Sequence, residues 1–547
     1  MGRRESALEG KHTSYGVKVG GFYQNRYSFE EQPYRTSFHF QPPKNWMNGP
    51  MYYNGVYHLF YQYNPYAATW GNISWAHSVS YNLIDWIHLE HALNPSEPYD
   101  IKGCWSGSAT LLPDDHNKPV ILYTGGTFSD QQVQNLATPK NLSDPFLTEW
   151  VKSSHNPLLS PVDDNIDPKF YRDPTTAWRK SDKTWRVIIG SQIDGHGAAV
   201  LYKSKDFIGW EKTDMPLHSS NKTGMWECPD FYPVRVDGKN GVDTSENGAD
   251  VRHVLKASFS DHDYYVVGSY DSETDGFSVD VDFMDERIQL RYDYGVFYAS
   301  KTFYDGAENR RILWGWVTEA DSESDDIDRG WSGLQSIPRS VLLDENGKQL
   351  IQWPIEELEK LRGKNVTIVN KEIKSGGIIQ ADVEVSFHLP NLEDVELIDE
   401  PLVDPQLLCS QMNASVNGTF GPFGLLVLAS EDLTEQTAVF FRILKNNGNY
   451  VVLMCSDQRR SSLKTHVKET IFGSFLDIDY SIVESFGGKG KSCITARVYP
   501  TLAISKNSHI YAFNNGKKSV TISNLSAWSM KKAQIAQVDR RRKPSIS

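Results

Sequence analysis

HSVSYNLIDW, residues 77–86, recurs in altered form as LYKSKDFIGW, residues 201–210. Both stretches fit the pattern S-x-[ND]-[LF]-I-x-W, and NLSDPFLTEW (141–150) and ASKTFYDG (299–306) are looser echoes of it. A strand, a polar turn and a Trp-bearing strand that repeat along a chain are typical of propeller blades. The same repeat is compatible with unrelated hairpins of a β-sandwich.

Short β-type runs separated by turn residues dominate the rest of the chain, and helical periodicity is nearly absent. Earlier runs include GVYHLFYQYN, PVILYTGG, TWRVIIGSQ and RILWGW, and later runs include GPFGLLVLAS and TAVFFRILK. We therefore predict an all-β protein, a five-bladed β-propeller followed by a C-terminal β-sandwich; the count of five blades comes from the family resemblance described below.

One segment, QWPIEELEKLRG, has helical features. Pro354 suits the first position of a helix and Gly363 suits the position just beyond its end. Because fresh strands follow it, we predict that it links two domains. The predicted organisation is an irregular leader at 1–32, a propeller at 33–352, a helical linker at 353–370, a sandwich at 371–535 and a basic tail at 536–547.

Composition excludes several classes of partner. The chain has 547 residues and a net charge of −13, and its one basic run is the C-terminal DRRRKPSIS, which argues against nucleic acid as a partner. No apolar run is long enough to span a membrane, and the five cysteines have no zinc-site spacing. Aromatic residues make up 12% of the chain. Their flat faces suit sugar rings, although a large β-core would also use them.

A carboxylate next to an indole is the first candidate catalytic group. In WECPDFYPV (226–234), Glu227 follows Trp226 and precedes apolar residues. Hydrolysis of a glycosidic bond usually needs two carboxyl groups, one of which stays neutral to protonate the leaving oxygen. Apolar surroundings would raise the pKa of Glu227 toward that role. The local sequence is equally compatible with a partly buried Glu that pairs with an Arg.

Other motifs carry groups that bind sugars. YRDPTTAW offers Arg172 and Asp173, which can grip sugar hydroxyls, although an Asp before Pro is commonly a turn residue. CWSGSAT (104–110) and NWMNGP (45–50) add Trp, Ser and Asn, which stack on or hydrogen-bond to sugars.

The order and separation of six motifs resemble plant members of glycoside hydrolase family 32, the cell-wall type acid invertases (β-fructofuranosidases) and fructan exohydrolases. The motifs are NWMNGPMYYNGVYHLFYQYNP, CWSGSAT, YRDPTTAW, WECPDFYPV, RYDYGVFYASKTF and GWSGLQSIPR. The resemblance implies a five-bladed propeller with the active site in its funnel, then a sandwich. It also implies retaining hydrolysis of terminal β-D-fructofuranosides, sucrose or fructans, without metal or cofactor. A monomer in the apoplast or cell wall is expected, although no signal peptide is visible.

The resemblance also assigns residues. Glu227 would be the acid/base, and Asp173 with Arg172 would bind fructosyl hydroxyls and stabilise the transition state. Cys409 and Cys455 would form a disulfide in the sandwich. The residues expected to line the fructose subsite are Trp46, Asn48, Gln62, Trp70, Trp105 and Ser106.

The first departure from the family concerns the nucleophile. The family motif reads W-M-N-D-P-N-G and its Asp attacks the sugar, whereas this chain runs from Asn48 directly to Gly49. We therefore expect feeble or no turnover. Three alternatives stay open: a weakly active glycosidase, an inactive sucrose- or fructan-binding or regulatory homologue, or a chain whose transcript lost a small exon.

Two further departures concern stability and substrate. The segment 473–490 is shorter than in the family, which predicts an unpaired or shifted sandwich strand. Sucrose-splitting members have an Asp followed three residues later by Lys; here Asp271, which the resemblance assigns to substrate binding, is followed by Thr274. This difference favours trimming of fructans.

Overall fold

The computed structural model describes residues 34–46, 50–162, 164, 166–285, 289–371, 381–389, 392–398, 404–476, 484–488, 490–504 and 507–537. The architecture below is that of the compact unit that begins at Thr36; of the preceding unit, Met1–Arg35, two residues are described. The predicted irregular leader lies outside the described residues.

Five antiparallel sheets follow one another along the chain and form five propeller blades. Blade I comprises Pro50–Tyr53, Val56–Tyr63, Ser74–Ser80 and Trp86–His88. Blade II comprises Cys104–Leu112, Lys118–Gly126, Gln132–Pro139 and Trp150–Lys152. Blade III comprises Tyr171–Arg172, Trp178–Arg179, Trp185–Ile193, His196–Ser204, Trp210–Lys212 and His218–Ser220. Blade IV comprises Glu227–Arg235, Val251–Phe259, His262–Asp271 and Gly276–Val279. Blade V comprises Phe297–Asp305, Arg310–Val317, Leu334–Gln335, Arg339–Leu343 and Leu350–Pro354.

Apolar side chains pack between successive blades. Val120 and Leu122 of blade II cluster with Val187 and Ile189 of blade III, for example. A further cluster contains residues of blade V and of blade I, so the ring of blades closes on itself. The predicted propeller is confirmed.

The repeated sequence signature forms the same turn in blades I and III. The side chains of Asn82 and Asp206 accept hydrogen bonds from the backbone N–H groups of Ile84 (3.0 Å) and Ile208 (2.9 Å). In both turns the tryptophan indole N–H donates to the carbonyl oxygen three residues before it. These local hydrogen bonds explain why the pattern marks the turn into the outermost strand.

The two looser echoes of the signature have different outcomes. Residues 141–150 form the corresponding turn of blade II, between Gln132–Pro139 and Trp150–Lys152. Residues 299–306 do not, because most of them belong to the first strand of blade V, Phe297–Asp305. That assignment was wrong, since a strand with alternating polar residues resembles a polar turn in sequence.

The C-terminal half forms the predicted β-sandwich. One sheet contains Arg362–Lys371, Thr521–Met530 and Ala381–His388. The other contains Ile471–Leu476, Asn449–Asp457, Thr437–Asn446, Phe423–Ala429, His509–Asn514 and Glu396–Leu397. Val385 of the first sheet and Phe441 of the second belong to one apolar core. Glu484–Gly487 pairs with Ser492–Thr495, and the shortened stretch 477–483 lies outside the described residues.

The predicted linker helix is shorter than expected and is a 3₁₀ helix, Glu356–Leu361. Pro354 is not its first residue, because it pairs with Arg339 at the end of a blade V strand. Gly363 follows the C-cap residue Arg362, as predicted, but it does not adopt a left-handed conformation, because strand Arg362–Lys371 has already begun. Pairing of strands at both ends therefore limits the helix.

The remaining elements are short. Ile535–Gln537 pairs in parallel with Trp86–His88, so these residues join blade I, and the residues of the predicted tail after 537 lie outside the described part. Asn45–Trp46 pairs in parallel with Trp331–Ser332. The other helices are Pro113–Asp115, Glu323–Arg329 and Pro405–Gln411. The domain boundaries predicted from the sequence stay predictions.

The structure contains a disulfide between Cys409 and Cys455, which joins helix Pro405–Gln411 to strand Asn449–Asp457. The two cysteines are 46 positions apart. A cross-link across a loop of this length restricts the unfolded chain.

We expect the double variant Cys409→Ala/Cys455→Ala to lose about 2–4 kcal/mol of unfolding free energy. Urea unfolding measures the loss. Dithiothreitol should destabilise the wild type to the level of the variant, and equal stability of oxidised wild type and variant would contradict the prediction.

Candidate active site

The first strands of blades II to V are irregular at one end. Register shifts occur between Cys104 and Gly107, between Glu227 and Asp230, and between Tyr298 and Lys301, whereas the first strand of blade III is interrupted after Arg172. Bulges of this kind turn side chains out of the regular ladder and are common beside active sites.

These irregular ends surround one cavity to which all five blades contribute. Its walls include residues 60–62 and 75 from blade I, 106–107 from blade II, 173–174 from blade III, 228 from blade IV and 299–301 from blade V. Asp173 (φ 66°), Cys228 (φ 44°) and Ala299 (φ 49°) have left-handed backbone conformations there. Such conformations cost about 1–3 kcal/mol each and cluster at functional sites.

Glu227 lies at the start of the first strand of blade IV, with its side chain one-third exposed. Arg172 Nη2 donates to its Oε1 at 2.5 Å, and the Tyr298 hydroxyl donates to its Oε2 at 2.6 Å. The alternative of an Arg partner is therefore confirmed. The indole of Trp226 turns away from the Glu227 carboxylate, because it is fully buried and donates to Thr223 Oγ1. Neighbouring residues in extended chain point in opposite directions.

Asp173 is the second carboxyl group of the cluster and is almost fully buried. Its Oδ2 accepts the backbone N–H of Cys228 at 2.8 Å and lies 4.0 Å from Arg172 Nε. Its own backbone N–H donates to Thr124 Oγ1. Burial raises the pKa of Asp173 above its ordinary range. Arg172 thus bridges the carboxylates of blades III and IV.

Of the expected subsite residues in blades I and II, Gln62 and Ser106 line the cavity, whereas Trp70 and Trp105 are not among its lining residues. Gln62 Nε2 donates to Ser106 Oγ, and both residues line the cavity. The rings of Trp70 and Trp105 pack edge to face with centroids 5.7 Å apart, and Trp70 is 60% exposed. The carbonyl oxygen of Trp105 accepts from the indole of Trp75.

The side chains of two expected subsite residues, Trp46 and Asn48, are not described by the structure. Trp46 lies in the short strand Asn45–Trp46, and the structure describes its backbone only. Asn48 lies outside the described residues, as do both neighbours at the shortened motif. Their roles stay predictions.

Asp271 does not belong to the cluster, which corrects the sequence-based assignment. In blade IV, Glu227 pairs with Ser258 of the neighbouring strand, and Ser258 pairs with Asp263 of the next strand. Asp271 follows Asp263 by eight positions in the same strand, about 26 Å along it. At that opposite end of the blade its carboxylate accepts from Thr274 Oγ1. The sequence spacing carried no information on which end of the strand faces the cavity.

Tyr298, Ser300 and Lys301 were not predicted as site residues, although they belong to the motif RYDYGVFYASKTF. Tyr298 contacts Glu227 directly, and its pKa is raised by burial and by the charge of Glu227. Ser300 and Lys301 line the cavity. The signal that could have found them is the same motif, at the start of the first strand of blade V.

An acidic group outside the cavity resembles a cation site in composition only. Glu319, Asp321 and Asp326 have carboxylate oxygens within 4.8 Å of one another. Arg329 makes ion pairs with all three, and Arg497 pairs with Glu319 at 3.1 Å. Because guanidinium groups already pair with all three carboxylates, the cluster does not fit a metal ion.

Asp326 of this cluster should make stability depend on pH. Burial, together with the charges of Glu319 and Asp321, raises its pKa to about 7. Since the folded state then holds the proton more tightly than the unfolded state, stability falls as pH rises from about 4 to about 7. We expect the unfolding free energy of the wild type, relative to Asp326→Asn, to fall by about 1–2 kcal/mol over this range. Urea unfolding at several pH values tests it; a constant difference between the two proteins would contradict it.

Comparison with known proteins now identifies the family. Residues 39–354 match the N-terminal domain of glycosyl hydrolases family 32, and residues 357–529 match the C-terminal domain of that family. The chain belongs to glycosyl hydrolase family 32.

Relatives of high similarity cover almost the whole chain. An insoluble β-fructofuranosidase isoenzyme of Arabidopsis thaliana is 56% identical over 92% of this chain and 92% of its own. A fructan 6-exohydrolase of Beta vulgaris is 54% identical over 92% of this chain and 88% of its own. The crystal structure of fructan 1-exohydrolase IIa from Cichorium intybus has a TM-score of 0.90 at 51% identity, covering 93% of this chain and 99% of that chain. A variant of that protein was solved with 1-kestose.

No helix among the described residues is long and apolar enough to cross a membrane.

Proposed function

We propose that the cavity binds the terminal, non-reducing β-D-fructofuranosyl unit of sucrose or of a fructan. The observation that carries this proposal is the pairing of Glu227 with Asp173 through Arg172 at a cavity built by all five blades. Names of relatives add weight, because they include β-fructofuranosidases and a fructan 6-exohydrolase.

Glu227 has the contacts that an acid/base group needs. Its side chain is one-third exposed and it directly precedes Cys228, which lines the cavity, so a glycosidic oxygen can reach it. In the free protein both carboxylate oxygens accept hydrogen bonds, from Arg172 and Tyr298. Proton donation to a leaving oxygen therefore requires that a bound ligand displace one of these donors.

Asp173 is proposed to hold fructosyl hydroxyls and to stabilise positive charge that develops on the sugar ring. It is held by the backbone of Cys228 and lies beside Arg172, so its position is set before a ligand binds. These contacts leave it no freedom to move across the cavity and replace a missing nucleophile.

We further propose that this chain hydrolyses fructosides feebly or not at all. Retaining hydrolysis needs a second carboxylate about 5–5.5 Å from the acid/base. The sequence lacks Asp-Pro-Asn between Asn48 and Gly49. The second candidate function, an inactive sucrose- or fructan-binding or regulatory protein, is favoured by this absence together with the retained cluster of Arg172, Asp173 and Glu227.

The wider setting follows from the relatives and belongs to the same proposal. Several are named as insoluble or cell-wall enzymes, including one from Pisum sativum, which supports an extracellular, apoplastic location. A monomer with a propeller domain at 33–352 and a sandwich domain at 371–535 is proposed.

Calorimetric titration of the purified protein tests the proposal. Sucrose and 1-kestose should bind with saturation, whereas maltose, which has no fructosyl unit, should not. Asp173→Asn should weaken binding of both fructosides. Chromatography of the same mixtures then measures released fructose and separates the two candidate functions. Absence of binding by either fructoside would overturn the proposal.

A further inference from the structure

Among the residues that the structure describes, none is a hydrogen-bond partner of the buried Ser300 hydroxyl group. The residue lies in the first strand of blade V, Phe297–Asp305, and is 1% exposed. Its Oγ forms no hydrogen bond with any residue that the structure describes, although Ser300 lines the cavity. Buried hydroxyl groups are nearly always hydrogen-bonded in folded proteins. Because Ser300 also lines the cavity, a ligand bound there can supply the partner.

The backbone around Ser300 is held in place by a buried ion pair. Lys256 and Asp263 lie 3.3 Å apart, and neither side chain is exposed. Lys256 Nζ donates to the carbonyl oxygens of Cys228 and Ser300, and Asp263 accepts the backbone N–H groups of Ala299 and Ser300. The pair thus joins the irregular ends of blades IV and V. Because the backbone is fixed on both sides, Ser300 keeps its place in the cavity lining.

The charges around the cavity favour a neutral ligand group at this position. Lys256 is balanced by Asp263, and Arg172 is balanced by Glu227. Lys301 Nζ donates to the carbonyl oxygen of Pro229. Each of these three cations therefore already has a protein partner, and none is free to pair with an anionic ligand. A serine hydroxyl both donates and accepts one hydrogen bond readily, as a sugar hydroxyl does.

We propose that Ser300 Oγ is a substrate-binding residue that hydrogen-bonds to one hydroxyl group of the sugar in the cavity. This inference rests on the proposed function, which supplies the class of ligand. Ser300 binds the sugar directly, and the Lys256–Asp263 pair is a positioning device that acts through the backbone.

Ser300→Ala tests the inference, with Ser258→Ala as the matched control. The Ser258 hydroxyl has protein partners, because it donates to Asp263 and accepts from Lys256. By calorimetry, Ser300→Ala should bind 1-kestose about tenfold more weakly than the wild type while its melting temperature stays unchanged. Ser258→Ala should instead have a lowered melting temperature.

Deoxy analogues of sucrose identify the hydroxyl that Ser300 contacts. The analogue that lacks this hydroxyl should bind the wild type about tenfold more weakly than sucrose and should bind Ser300→Ala no more weakly than the wild type. Equal affinity of wild type and Ser300→Ala for 1-kestose would overturn the inference alone. The inference would also be overturned if the melting temperature of Ser300→Ala fell as far as that of Ser258→Ala. The same holds if Ser300→Ala bound every deoxy analogue more weakly than the wild type does. If the wild type binds no fructoside, the proposed function fails and this inference fails with it.

Discussion

Insertion of Asp-Pro-Asn between Asn48 and Gly49 should raise the rate of sucrose or fructan hydrolysis by about 10⁴- to 10⁶-fold. Such a factor corresponds to about 5–8 kcal/mol of activation barrier. The physical reason is that covalent catalysis needs an attacking carboxylate as well as a proton donor. Around the cavity, the described carboxylates Glu227 and Asp173 already have other partners. Release of fructose from purified protein measures the effect.

An Asn-Pro-Asn insertion at the same position is the matched control. It restores the length and register of the motif without the carboxylate, so its rate should stay within about tenfold of the chain as it stands. Recovery with the control insertion would show that strand register, not the missing nucleophile, limits the rate. Rapid turnover by the uninserted chain would refute the prediction outright.

The second large effect should come from Arg339→Met, which we expect to lose about 3–5 kcal/mol of unfolding free energy. Arg339 is fully buried and ends the motif GWSGLQSIPR. Its Nη2 lies 3.0 Å from Asp293, 2.7 Å from Glu484 and 2.8 Å from Thr495 Oγ1. Loss of the guanidinium leaves two buried carboxylates without their shared counter-charge.

Urea unfolding of the full chain measures this loss. Arg235→Met serves as the control, because Arg235 pairs at 2.6 Å with Asp250, whose side chain is 60% exposed. A surface pair of this kind contributes about 0–1 kcal/mol. Similar stabilities of the two variants would contradict the assigned role of Arg339. Because Glu484 and Thr495 belong to the C-terminal half, the same network ties that half to blade V.

Sequence patterns predicted a secondary-structure element correctly where hydrogen bonds within the same few residues form that element. The S-x-[ND]-[LF]-I-x-W turns were found because their polar side chains bond to backbone within the same few residues. The helix around Glu356–Leu361 was overestimated, because pairing with distant strands, such as that of Arg362 with Met530, decides where it stops.

The site was predicted unevenly for the same reason. The sequence motifs predicted Glu227, Asp173 and Arg172 as site residues, and in the structure Arg172 contacts both carboxylates. Asp271 was misplaced, since spacing along a chain does not tell which end of a strand faces the cavity. Ser300 was missed, since an unpaired hydroxyl group is recognisable only when all its neighbours are known.

By itself, the sequence determined the family, the all-β architecture and the absence of the Asp-Pro-Asn tripeptide, because these are properties of residue order and periodicity. The tertiary structure alone decided which groups meet. Glu227 faces Arg172 and Tyr298 and turns away from Trp226, and a buried Lys256–Asp263 pair holds the strand ends of two blades. Those contacts join residues from different blades, and their geometry depends on bulges and on closure of the ring, which no local pattern encodes.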